Sequence, residues 1–276
     1  MQIISDSAAL FSPEEGAKLG ITVVPASVII DGKNYRDYID ISSEEFLARI
    51  QEGAIATSSQ PAIGDVMEVF EASNEETLFF SVGDGLSGTY ANAVGAKNCM
   101  EENEHIHVFN SKTLAGPERY MVKKALELAK EGWKKEDIIK KIETCIESSV
   151  SFVIPADFEF LKRSGRLTPI AAKVSGLIKI VPVMTQTLDK TRIELFTIKR
   201  SSKKAVQAII QHLQTMGVGK GWLVSIGHGG APEVAANVLS QIREVLAGIE
   251  GEILFLSPSL ITHGGPGCIT VQAVQM

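Results

Sequence analysis

At 276 residues the chain exceeds the roughly 100–200 residues of a typical domain, and 45% hydrophobic with 22% charged residues excludes a disordered polymer. A net charge of −6, from 27 Lys and Arg against 33 Asp and Glu, argues against whole-surface attraction to nucleic acid or an anionic membrane. Cys99, Cys145 and Cys268 are too few and too scattered for a disulfide framework or a paired-cysteine metal site, so a reducing cytoplasm is the expected compartment. Neither a basic, apolar leader nor a run of about 18 apolar residues occurs, and neither secretion nor a membrane span is expected.

The first half alternates short apolar runs with helical periodicity, the pattern of crossover units around a largely parallel sheet. Strands are expected at Ile3-Ile4, Ile21–Val24, Leu78–Val82 and Ile106–Phe109. Helices are expected at Ser43–Ile50, with Ser43 as N-cap, and at Asp65–Ala72, Thr89–Met100 and Tyr120–Lys130. From about Ser151 the texture changes. Val181–Thr185 and Ile193–Ile198, joined by the turn-like Leu188–Thr191, read as a hairpin, and helices near Lys203–Met216 and Pro232–Leu246 alternate with strands Leu223–Ile226 and Ile253–Leu256. The expectation is an α/β protein of two domains, residues 1–153 and 154–276, packed directly with a ligand cleft between them.

Gly83-Asp84-Gly85-Leu86-Ser87-Gly88 spells a dinucleotide-type glycine loop between a strand and a helix. The next strand, however, ends in Asn110-Ser111, without the acid that would hold a ribose. What remains is a helix N-terminus with two hydroxyls, Ser87 and Thr89, beside glycines that permit close backbone approach, a setting suited to an anion or simply to a helix cap. Gly85-Leu86-Ser87-Gly88-Thr89 has Thr where a nucleophile elbow requires its second glycine, which disfavours serine hydrolysis. Thr57-Ser58-Ser59-Gln60-Pro61 reads as a loop before the next helix. His263, followed by Gly264-Gly265-Pro266-Gly267, could hold a carboxylate or hydroxyl, or be a turn histidine, whereas His228-Gly229-Gly230 reads as helix entry. No metal-ligating histidine or cysteine spacing is present, and no metal is expected. Basic residues gather at Lys162–Arg166 and Lys199–Lys204, where Arg166 and Arg200 offer planar forks for phosphate or carboxylate.

In order along the chain, Ile4-Ser5-Asp6-Ser7, Pro25, Thr57–Pro61, Leu86-Ser87-Gly88-Thr89-Tyr90, Leu161–Arg166, Ile180-Val181-Pro182 and His263–Gly267 resemble the DegV family of bacterial fatty-acid-binding proteins, the lipid-carrying subunits of fatty-acid kinase. The resemblance spans the whole chain. It implies an N-terminal α/β/α domain with a mostly parallel sheet and a C-terminal α/β domain with a mixed or antiparallel one, gripping a long-chain fatty acid such as palmitate or oleate. By matching motif, Ser87, one or both of Thr57 and Ser58, and His263 would hold the carboxylate. Arg166 and Arg200 would face the separate ATP-dependent kinase that makes an acyl phosphate for phospholipid synthesis. The chain itself has no phosphate-binding loop or kinase-like set, so a non-catalytic carrier without cofactor is expected. Three positions depart from the family pattern: Asn110 where Asp is common, Ala26 where Leu is usual, and Gly83-Asp84-Gly85 in place of a serine-containing approach.

Two other readings are open. A Ser87/His263 pair could act on an acyl or phosphoryl substrate, which predicts turnover by the isolated protein. Alternatively, the chain could be a regulatory module that reads a small anion.

Overall fold

The computed structural model describes residues 1–174 and 180–276. The apolar runs of the first half become four parallel strands, β1 (Gln2–Asp6), β2 (Ile21–Val24), β6 (Thr77–Ser81) and β7 (Ile106–Asn110), ordered β2-β1-β6-β7. Strand order reverses at β1, so a crevice opens at its carboxyl end, where ligands collect in open α/β sheets.

One face of this sheet is covered by α3 (Ile63–Glu71) and α4 (Thr89–Asn98), which bury Val66, Phe70 and Ala93 against Ile4 and Phe79. The other is covered by α5 (Gly116–Lys130) and α6 (Lys135–Ser148), where Met121, Val122, Ile138 and Ile142 meet Ile3, Leu78 and Phe80. α3, α4 and α5 fall where helices are expected, whereas α6, with Ile138, Ile142 and Ile146 at helical spacing, is an addition to the sequence reading.

A six-stranded mixed sheet lies beyond α5 and α6. Its order is β10-β9-β8-β13-β11-β12, from β8 (Val150–Ile154), β9 (Val181–Gln186), β10 (Ile193–Lys199), β11 (Trp222–His228), β12 (Glu250–Phe255) and β13 (Ile269–Gln275). All its pairings are antiparallel except β11 with β12. Val274 of β13 joins the α5/α6 core, and a Cβ on Gly116 would lie 2.1 Å from that of Ser225, so this helical layer is shared between both sheets. The outer face is closed by α8 (Ser202–Thr215) and α9 (Pro232–Val245). The expected cut between residues 153 and 154 falls inside β8, which pairs along its length with β13.

A third sheet, absent from the sequence reading, is antiparallel: β3 (Ser27–Ile30), β4 (Lys33–Arg36) and β5 (Ala56–Ser59), ordered β4-β3-β5. With α2 (Ser43–Gln51) it packs on α10 (Pro258–Gly264), burying Val28, Ile30, Phe46 and Leu47 with Leu256 and Ile261. The N-cap of α2 is Ser42, whose Oγ accepts the Glu45 N–H at 3.1 Å. Ser43, expected in that role, is one residue inside and donates instead to the Leu256 carbonyl at 2.8 Å, tying α2 to the end of β12.

Candidate functional site

The crevice at the carboxyl ends of β1 and β6 continues into a cavity whose space, counted out through its open mouth, is about 890 Å³. Its walls come from both large sheets and from α10: Ala8, Val82, Leu86 and Leu114 from one side, Val153, Leu161, Ile193, Leu256, Leu260 and Cys268 from the other. Aliphatic side chains dominate, which suits a hydrocarbon. Polar groups line it at Ser58, Ser87, Thr89, Arg166 and His263, with Asp6, Ser259 and Thr270.

Ser58 and His263 meet here. Ser58 lies on β5 opposite Val28, a fully buried residue, so pleat alternation turns its hydroxyl inward; its Oγ is 2.7 Å from His263 Nε2. Thr57, opposite Ile29, points to the other face and is exposed, so of the two expected candidates it is Ser58 that lines the cavity. The Thr57–Ser59 stretch is strand rather than loop, because its hydroxyl-rich sequence carries no apolar periodicity while its backbone completes the small sheet.

His263 occupies the last turn of α10 and lines the cavity. Burial, reinforced by the nearby positive charge of Arg166, pushes its pKa down to about 3, so the imidazole is neutral at physiological pH. The helix is anchored from below: Asp37 accepts the Ser259 hydroxyl at 2.6 Å, the Ser259 N–H at 3.1 Å and the Ser7 hydroxyl at 3.0 Å. Burial raises the Asp37 carboxyl to about 6 and that of Asp6, at the end of β1, to about 7. Asp6 accepts the Ala8 and Val82 N–H groups at 2.8 Å each and holds the ends of β1 and β6 together at the cavity wall. Neither aspartate was singled out as a site residue from sequence; only the Ile4–Ser7 string hinted at the first.

Ser87 sits just before α4, whose N-cap is Gly88. Its Oγ lies 2.9 Å from Thr89 Oγ1, so the two hydroxyls form a pair beside the helix N-terminus. The glycines of this loop serve packing within the protein: Gly85 has φ +83° and a Cβ there would come within 2.4 Å of the Thr191 carbonyl, while one on Gly88 would strike the Gln60 side chain. The departure at Asn110 is absorbed locally, since its Oδ1 accepts the Asp84 and Lys112 N–H groups as an aspartate oxygen would.

Arg166 is half-buried at the cavity, its Nε donating to the Leu86 carbonyl at 2.9 Å, and burial lowers its pKa. Arg200 is exposed between β10 and α8. The Ile193 N–H donates to the Arg166 carbonyl, which places the two arginines at opposite ends of β10, roughly 20 Å apart at about 3.3 Å per residue. His228 ends β11 and lies outside the cavity, with Gly229 and Gly230 leading to α9, as expected. Among the described residues no cluster of metal-ligating side chains occurs, and no helix is long and apolar enough to cross a membrane.

Three sheets enclosing an apolar cavity, with hydroxyls and a neutral histidine on its wall, define a protein built to hold an amphipathic ligand. The chain belongs to the DegV family, a family of uncharacterised proteins whose sequence profile matches residues 1–276. A DegV domain-containing protein of Staphylococcus aureus is 29% identical over 97% of this chain and 96% of its own. Among solved structures, a fatty-acid-binding DegV family protein from Thermus thermophilus superposes with a TM-score of 0.88 at 25% identity, covering 100% of this chain and 99% of that one. A Ruminococcus gnavus DegV family protein, solved with vaccenic acid, gives 0.87 at 27% identity, covering 98% of each chain.

Proposed function

We propose that this protein binds a long-chain fatty acid such as palmitate or oleate, with the acyl chain in the aliphatic cavity and the carboxylate at Ser58, Ser87 and His263. The 2.7 Å contact between Ser58 and His263 carries the reading. A carboxylate only accepts hydrogen bonds, so it needs donors that stay donors at neutral pH. A neutral imidazole whose Nε2–H is given to Ser58 frees the serine O–H for the ligand, and Ser87 supplies a second hydroxyl. Arg166 adds a positive charge to the same wall without requiring a buried ammonium. Burial of each methylene contributes about 0.8 kcal/mol, so the tail supplies affinity and the polar wall supplies orientation. The fatty acids of the Thermus and Ruminococcus relatives support the same ligand class.

In this reading the protein is a cytoplasmic carrier, without catalytic residues of its own, that presents the carboxylate to a separate ATP-dependent fatty-acid kinase for acyl-phosphate formation and phospholipid synthesis. Arg166 and Arg200 would face that partner, Arg200 at one end of β10 and Arg166 beside the cavity. The chain divides at Ser149, so that β8 stays with the six-stranded sheet. A Ser87/His263 nucleophilic pair has less support, since the hydroxyl bonded to the imidazole is that of Ser58 and the one beside Ser87 is that of Thr89.

Native mass spectrometry of the purified protein, followed by organic extraction, tests this. A stoichiometric long-chain fatty acid is the expected result; an apo mass that also fails to take up added palmitate or oleate overturns it.

A further inference from the structure

Glu118 stands in the first turn of α5, fully buried, and neither of its carboxyl oxygens meets a hydrogen-bond partner among the described residues. An ionised carboxylate in such a place would leave its charge uncompensated, and taking up a proton is the lower-energy state. Its neighbour Arg119 is committed elsewhere, pairing with Glu15, donating to the Leu10 carbonyl and lying over the Phe11 ring.

A second fully buried carboxyl, Asp6, ends β1, the strand on which α5 packs, and its charge further opposes ionisation of Glu118. The two are joined through the backbone: the Ala8 N–H donates to Asp6 Oδ1 at 2.8 Å, and the Ala115 N–H, immediately before α5, donates to the Ala8 carbonyl at 2.9 Å. Ala8 itself lines the cavity. The other elements packed on α5 bring neutral groups: the buried Cys145 thiol from α6, pushed upward by burial, Ser225 from β11, and Gln272 from β13, whose Oε1 accepts the Gly116 N–H at 3.3 Å. Beyond Asp6 lies Asp37, also acidic, already bonded to Ser7 and Ser259.

We propose that Glu118, buried behind the Ala8 wall, holds a proton in the folded protein, and that the packing of α5 on β1, with that wall, loosens when Glu118 gives up that proton in alkaline solution. The sign follows from linkage. In the unfolded chain both acids ionise near their ordinary values of about 4, whereas the folded state keeps protons above that, so each retained proton lowers the folding constant tenfold per pH unit until it is lost. Glu118→Gln keeps the shape and stays neutral, and removes that dependence. The inference stands apart from the identity of the lipid.

Infrared difference spectroscopy of wild type minus Glu118→Gln at about pH 7 reads the carbonyl band of a protonated carboxylic acid directly, and denaturant unfolding from about pH 7 to 9 reads the stability slope. The expected result is a protonated-acid band in the wild-type-minus-variant difference, and a decline in folding constant with pH that is shallower in the variant by up to tenfold per unit. Absence of the band, or parallel stability curves, overturns the proposal. Should the variant not fold, the band is followed in the wild type above about pH 8, where Asp6 and Asp37 are ionised: its loss on further alkaline titration, together with loss of amide-exchange protection in α5, supports the proposal, and a wild type without the band there overturns it.

Discussion

Ser58 Oγ and His263 Nε2 lie 2.7 Å apart across 205 positions of sequence, one on the edge of the small antiparallel sheet and the other in the last turn of α10. That contact joins the N-terminal half to the C-terminal half at the cavity wall, so the proposed head-group site exists only when both halves are folded together.

Removing either partner should therefore weaken ligand retention with little effect on the fold. Ser58→Ala and His263→Gln are each expected to raise the dissociation constant for oleate about 5- to 30-fold, the equivalent of roughly 1–2 kcal/mol for a lost hydrogen bond to a charged group. Isothermal titration after delipidation measures this. Unchanged affinity in both variants would remove the pair from the head-group site.

The tail has its own test. Val153 of β8 lines the cavity, and Val153→Phe adds bulk where an acyl chain would run. The variant should favour shorter acids, losing about 0.8 kcal/mol for each methylene that no longer enters. Competition between myristate and stearate reads the shift; an unchanged preference would place the tail elsewhere.

Acidity bears on stability through Asp37, which holds α10 to the N-terminal half. Its folded pKa of about 6 lies above the unfolded value, so its contribution is complete below about pH 4 and is lost as pH rises through 6. Asp37→Asn should flatten the decline in unfolding free energy across that interval, by up to about 1.4 kcal/mol per pH unit, while lowering stability in acid through the altered bonds to Ser7 and Ser259. Denaturant titration at several pH values checks the slope. His263, with its pKa lowered to about 3, works in the opposite direction and makes stability rise with pH between about 3 and 6.5.

Gly85 links the hairpin of β9 and β10 to the loop bearing Leu86 and Ser87. Gly85→Ala would force a side chain into positive φ and against the Thr191 carbonyl, so a loss of about 1–3 kcal/mol and a drop of several degrees in Tm are expected, together with weaker lipid retention. Calorimetry on the delipidated protein separates the two effects. A variant as stable as wild type would show that the hairpin does not brace this loop.

Of the helices that cover the large sheets, α3, α4, α5, α8 and α9 were legible from apolar positions at helical spacing, as Val66 and Phe70 in α3; α6 carries the same spacing at Ile138, Ile142 and Ile146 yet was not anticipated. Nor was the small sheet. Lys33–Arg36 is almost wholly polar and exposed, and Ala56–Ser59 is mostly hydroxyls, so neither shows the apolar alternation that betrays a strand. The site was half legible: Ser58, Ser87, Arg166 and His263 stand out by residue type and motif, but their meeting depends on contacts between distant segments. Thr57 and Ser58 could not be separated until the register of β5 on β3 showed which faces inward. Asp37 and Glu118 left no local signal, since burial is a property of the finished fold.

β13 occupies the middle of the six-stranded sheet, between β8 and β11, yet follows both of them in sequence. During synthesis the sheet is consequently divided in two until residues 269–275 emerge, with the inner edges of β8 and β11 unpaired. Cys268, just before that strand, and Thr270 within it also line the cavity, so the cavity is closed by the same late insertion that unites the sheet. A nascent chain halted upstream of Ile269 would have made nearly every element of the fold and still hold no closed compartment.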